Sequence, residues 1–118
     1  MGKRNCREIG TAYENKAVLY LQEQGYQVIK QNFRCRQGEI DIIAKDREYL
    51  VFIEVKYRKN AYEGAALEAV TTQKQRRIIQ AARYYLYHIK CTERPCRFDV
   101  IAFEGKEMVH IKNAFGVS

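Results

Sequence analysis

Two apolar runs, Gly38-Glu39-Ile40-Asp41-Ile42-Ile43 and Phe52-Ile53-Glu54-Val55-Lys56, are each interrupted by charge. Their β-branched residues make them strands, and the polar Asp46-Arg47-Glu48-Tyr49 between them makes a hairpin. Side chains alternate along a strand, so Glu39, Asp41 and Ile43 are expected on one face, with Ile40 and Ile42 on the other. Glu54 and Lys56 share a face in the same way. A two-residue turn at Arg47-Glu48 pairs Asp46 with Tyr49, and counting back sets Asp41 opposite Glu54 and Glu39 opposite Lys56. That dipeptide is not a favoured turn pair, and a bulge would shift the register. Facing carboxylates repel and are costly among apolar residues, unless a shared proton or a divalent cation relieves them. Any fold for this chain has to solve that problem.

The rest of the chain supplies a frame for the hairpin. Arg7 to Gln24 reads as a helix, with Ile9, Ala12, Tyr13, Ala17, Tyr20 and Leu21 at helical spacing and Gly25 as its C-cap. Strands follow at Tyr26–Arg34, Glu39–Lys45 and Tyr49–Tyr57, with Cys35-Arg36-Gln37-Gly38 as a turn. A second helix runs from Ala65 to about Ile89, with a break and N-cap at Val70-Thr71-Thr72. Its apolar stripe is Ile78, Ile79, Ala82, Tyr85, Leu86 and Ile89, and its other face carries Lys74, Arg76, Arg77 and Arg83. Arg97–Phe103 and a short Met108–Ile111 complete the order α-β-β-β-α-β-β, an α/β fold with a central mixed sheet. Residues 1–118 show no linker or repeat and are expected to form a single domain.

Composition narrows the partners. Lys and Arg number 21 against 14 Asp and Glu, a formal charge of +7, which favours an anionic partner as much as it favours plain solubility. No run approaches the length of a membrane span and no secretory h-region is visible, so a cytoplasmic protein without membrane contact is expected. Cys6, Cys35, Cys91 and Cys96 form no CxxC pair, and His88 and His110 lie outside zinc-finger spacing. In a reducing compartment the cysteines are expected as free thiols.

Asp41 and Glu54 on one patch of sheet suit Mg²⁺ or Mn²⁺, with the Val55 carbonyl as a neutral third ligand. Lys56, on the same face as Glu54, is placed to orient a water or offset developing negative charge. A competing reading puts Asp41 and Glu54 on a solvated face and pairs Lys56 with Glu39 across the strands. The spacing alone leaves both open.

Asp41 followed by Glu54-Val55-Lys56 resembles the PD-(D/E)XK nuclease motif, an acid on one strand and acid-x-Lys on the next, with Ile40 where the motif has proline. With Glu14 on the first helix, Gly38-Glu39-Ile40-Asp41, Glu54-Val55-Lys56-Tyr57-Arg58, Gln73-Lys74-Gln75-Arg76-Arg77 and Arg97-Phe98-Asp99-Val100, nearly the whole chain looks like the YraN family. These are small bacterial proteins of restriction-endonuclease-like fold, and the Glu-Val-Lys-x-Arg string also resembles Holliday-junction resolvases. The resemblance implies metal-dependent cleavage of DNA phosphodiesters, with branched DNA as a substrate. It implies Asp41 and Glu54 as metal ligands, Lys56 as the catalytic lysine and Glu14 as an auxiliary acid. A junction-cutting role favours a homodimer. The alternative is a nucleic-acid-binding module that keeps the fold with little or no catalysis.

Arg58, Lys59, Lys74, Arg76 and Arg77 are the candidates for phosphate contacts, with a solvated helix face as the competing account of the basic helix. Asp99, in an apolar strand, is expected to brace an arginine, and neither histidine is given a catalytic role.

Overall fold

The computed structural model describes residues 6–58, 70–91 and 93–116. The elements are α1 (Cys6–Glu23), β1 (Gln27–Cys35), β2 (Gly38–Asp46), β3 (Tyr49–Arg58), α2 (Thr72–His88), β4 (Cys96–Glu104) and β5 (Glu107–Phe115). One sheet has the order β1-β2-β3-β4-β5. β3 and β4 run parallel, and the other neighbours are antiparallel.

α1 ends as its glycine requires. Gly25 takes φ +92, and the Tyr26 N–H returns to the Leu21 carbonyl at 2.9 Å, which closes the last turn. α2 starts at Thr71, whose hydroxyl accepts the Lys74 N–H at 3.1 Å. The part of the expected second helix from 65 to 69 lies outside the described residues.

The sheet is buried on both faces. On one side Ile42, Ala44, Val51, Ile53, Ile101 and Phe103 pack with Ala17 and Leu21 of α1. On the other, Ile40, Ile43, Leu50, Phe52, Phe98 and Val100 pack with Ile78, Ala81 and Ala82 of α2. Each fully buried large side chain contributes about 1.5–3 kcal/mol, so the two helices are held by their apolar stripes.

The β2–β3 ladder runs from Ile42 opposite Ile53 to Asp46 opposite Tyr49, the register the Arg47-Glu48 turn implies. Arg47 supplies the turn with φ +58. Strict alternation along β2 does not hold. Ile40 and Ile43 both face α2 and Ile42 faces α1, so the alternation slips by one residue around Asp41, where the ladder with β3 stops. The last strand also runs longer than its apolar pattern suggests, because β5 pairs with β4 as far as Phe115 opposite Phe98.

Candidate active site at the end of the β2–β3 ladder

Asp41 sits one residue beyond the last β2–β3 backbone pair. Its Oδ2 accepts the Val55 N–H at 2.8 Å, so a carboxylate takes the place of a backbone carbonyl. The N–H and C=O of a strand residue leave the same edge, so the Val55 carbonyl also faces this gap. Asp41 and Glu54 therefore meet through side chains rather than as a backbone pair.

Glu54 is 5% exposed. Burial, reinforced by the Asp41 carboxylate beside it, pushes its carboxyl up to about 9. Its Oε2 is buried without a hydrogen-bond partner. Lys74 Nζ lies 3.3 Å from that oxygen, near enough for an ion pair but not aligned as a hydrogen bond. Lys56 stands beside Lys74, and burial together with that second ammonium lowers its pKa. The Lys74 ammonium goes the other way: burial works against its charge, but the Glu54 carboxylate outweighs it and holds the pKa above the ordinary value.

Glu14 reaches the same region from α1. It lines a cavity of about 650 Å³ with Asn32, Arg34, Glu39 and Asp41. Burial and the charge of Asp41 raise its pKa, and a hydrogen bond with Asn32 works against them. Asp41 thus lies between an α1 acid and an α2-side acid, where β2 parts from β3.

Glu39 does not pair with Lys56. It lies opposite Arg34 of β1 and forms an exposed ion pair with it at 3.3 Å. Lys56 lies beside Ala102 of β4 in the backbone register. The solvated-face reading is thereby corrected: Glu54 is buried, and the Lys56–Glu39 pair does not form because β2 has already left β3 at Glu39.

The basic helix divides. Arg77 and Lys74 line a groove of about 360 Å³ with Arg34, Gly38 and Glu39. Arg76 instead lines a separate groove with Arg83 and Gly116. Lys74 is not on a purely solvated face, since its side chain is half-buried against Glu54. Gly38 lets β2 and α2 approach closely, because a Cβ there would lie 2.9 Å from the Arg77 carbonyl oxygen. Arg58 ends β3, but its side chain and all of Lys59 lie outside the described residues.

Two partners escaped the sequence reading. One is Lys74 as a neighbour of Glu54, for which its position in the first turn after the Thr71 cap is the available signal. The other is Asn32, which no local pattern ties to Glu14.

Two carboxylates and a strand carbonyl are hard oxygen donors of the kind that suit Mg²⁺ or Mn²⁺, and the buried Glu54 Oε2, without a hydrogen bond, fits such a ligand. Among the described residues no three His, Cys, Asp or Glu side chains converge as a cluster.

An α/β architecture with a five-strand mixed sheet, two flanking helices and the order α-β-β-β-α-β-β is consistent with a nuclease-like fold. Comparison with known sequences gives the family. Residues 13–103 match the model of the uncharacterised protein family UPF0102, which is the YraN family, and the chain belongs to it. A UPF0102 protein of Lachnoclostridium phytofermentans is 53% identical over 94% of this chain and 95% of its own length. A UPF0102 protein of Janthinobacterium is 49% identical over 89% and 85%, and one from Chlorobium phaeobacteroides is 46% identical over 92% and 94%. Among the described residues no helix is long and apolar enough to cross a membrane.

Proposed function

We propose that this protein is a metal-dependent DNA endonuclease that hydrolyses phosphodiesters, with branched or otherwise structured DNA as its substrate, acting in the cytoplasm. The observation that carries the reading is Glu54. A buried carboxyl beside a second carboxylate, with one oxygen lacking a hydrogen bond, is a poor structural element and a good cation ligand.

Asp41, Glu54 and the Val55 carbonyl would hold Mg²⁺ or Mn²⁺. When bound, such an ion polarises a phosphoryl oxygen and lowers the pKa of a coordinated water. The protein's own residues do the rest. The Val55 N–H fixes the Asp41 carboxylate in the gap. Lys56, on the Glu54 side of β3, orients the attacking water or offsets charge at the phosphate. Glu14 adds an acid from the α1 side. Lys74, Arg77 and Arg34 line one groove and would grip flanking phosphates. Cutting both strands of a four-way junction would require two such sites, hence a homodimer.

A non-catalytic nucleic-acid-binding module is the second reading. It is favoured by Lys74, which already places a cation against Glu54.

The test is incubation with Mn²⁺ or Mg²⁺ and labelled single-stranded, duplex, flap and four-way-junction DNAs. Metal-dependent cutting that is lost in Glu54→Ala and Lys56→Ala is the expected result. Binding without cutting across the whole panel would instead favour the second reading.

A further inference from the structure

Lys74 borders two environments. Its Nζ lies 3.3 Å from the buried Glu54 Oε2, and the same residue lines the groove that holds Arg34 and Arg77. Its backbone is fixed. The Thr71 hydroxyl accepts its N–H at 3.1 Å, and one turn on, the close approach at Gly38 seats α2 against β2. The side chain is not fixed in the same way. It is 36% exposed, it holds Glu54 without an aligned hydrogen bond, and it has a flexible four-carbon stem.

We propose that Lys74 is a displaceable internal cation: without metal it neutralises the Asp41–Glu54 pair, and when a divalent ion binds there it swings into the Arg34–Arg77 groove to meet a DNA phosphate. The inference rests on the nuclease reading and adds an ordering of events to it. An ammonium and a divalent ion cannot share Glu54 Oε2 without strong mutual repulsion in a site shielded from water. Lys74 is the group that must yield, because Lys56 does not stand on that oxygen within ion-pair distance and Lys74 does. In that groove Arg34 is already paired with Glu39 and Arg77 carries like charge, so without a phosphate there Glu54 is the partner that holds Lys74. A bound phosphate reverses that preference. Metal binding and DNA binding therefore assist each other through one side chain, a coupling that is reciprocal.

The experiment measures Mn²⁺ binding by titration calorimetry on the intact chain, with no DNA present. Wild type is compared with Lys74→Ala and with Lys74→Gln, which keeps much of the stem and loses the charge. Circular dichroism confirms that each variant is folded. Both variants are expected to bind Mn²⁺ about tenfold or more tightly than wild type, since no ammonium has to be displaced. Equal or weaker Mn²⁺ binding in the folded variants would overturn the displacement and leave the metal site standing. Absence of Mn²⁺ binding in wild type and both variants would overturn the displacement and the metal reading together. Tighter binding in the variants supports the displacement whether or not any DNA is cut.

Discussion

Asp99 and Glu54 lie on adjacent strands, one residue apart in register and on opposite faces of the sheet. Both are cut off from water, but their surroundings differ. Asp99 is fully buried and fully bonded. Arg97 donates through Nε at 2.9 Å and Nη2 at 3.0 Å, His110 Nε2 lies at 2.8 Å, and the Asn113 N–H donates at 3.0 Å. The network continues from Arg97 to Asp46 at 3.0 Å and Tyr26 at 2.6 Å, and from His110 to Tyr20 at 2.8 Å. Burial alone would raise the Asp99 pKa, but the hydrogen bonds from His110 and Arg97 hold it below its ordinary value. Glu54 has a second carboxylate for a neighbour and an oxygen without a hydrogen bond, so its carboxyl is pushed up to about 9. The cost of burying charge is met by a full set of hydrogen bonds at Asp99 and only by the ion pair with half-buried Lys74 at Glu54. The contrast is what separates a structural acid from a candidate ligand here.

Substitution should break the symmetry most visibly. Asp99→Ala leaves the largely buried Arg97 short of its main partner and is expected to destabilise the protein by about 3–5 kcal/mol in urea denaturation. Glu54→Gln without metal should do the reverse at neutral pH and stabilise by about 1 kcal/mol, because the amide needs no proton on folding whereas the raised pKa of Glu54 makes folding take one up. A loss of stability in Glu54→Gln comparable to that of Asp99→Ala would erase the distinction.

Acidity sharpens the same comparison. The Glu54 carboxyl has a folded pKa of about 9 against an ordinary 4.5, so its contribution to stability is complete below 4.5 and is lost as pH rises through 9. Metal-free wild type should lose stability over that window by at most about 1.4 kcal/mol per pH unit, and Glu54→Gln should flatten the loss. Asp99 acts at the other limb. Its folded pKa is below 3.8, so its contribution is present above 3.8 and is lost as pH falls through the folded value. Denaturation curves from acid to pH 9 would separate the two limbs.

Smaller effects probe the seat of Lys74. Gly38→Ala places a Cβ 2.9 Å from the Arg77 carbonyl oxygen, and the backbone must shift to accept it. A destabilisation of about 1–2 kcal/mol is expected, as for other overpacked sites. Arg77→Ala should change stability by less than about 0.5 kcal/mol yet lower the salt dependence of DNA binding by about one ion. Arg76→Ala, on the other side of α2, should affect DNA binding less. Equal losses in anisotropy titrations would show that the groove beside Glu54 is not the path of the backbone.

The element order and the β2–β3 register were legible in the sequence because apolar alternation and turn residues are local signals. Thr71 and Gly25 announced their caps for the same reason. The break in alternation around Asp41 was not legible, since it arises where β2 parts from β3. β5 reads as short because only Met108 to Ile111 alternates clearly, while its later residues are held by pairing with β4 and by the Asn113 N–H on Asp99. Asp99 was recognised as the brace of an arginine, but His110 joins it from a different strand, a contact no sequence spacing encodes. Lys74 was legible as basic and not as the neighbour of Glu54, because helix docking sets that contact.

The most direct test of the account is the melting temperature of the protein at pH 8 with and without Mn²⁺, for wild type and Glu54→Gln. A ligand that binds only the folded state raises Tm in proportion to its occupancy. Mn²⁺ should raise the wild-type Tm by several degrees and leave Glu54→Gln nearly unmoved. No rise in wild type, or an equal rise in both proteins, would contradict the claim that Glu54 is held in readiness for a divalent ion.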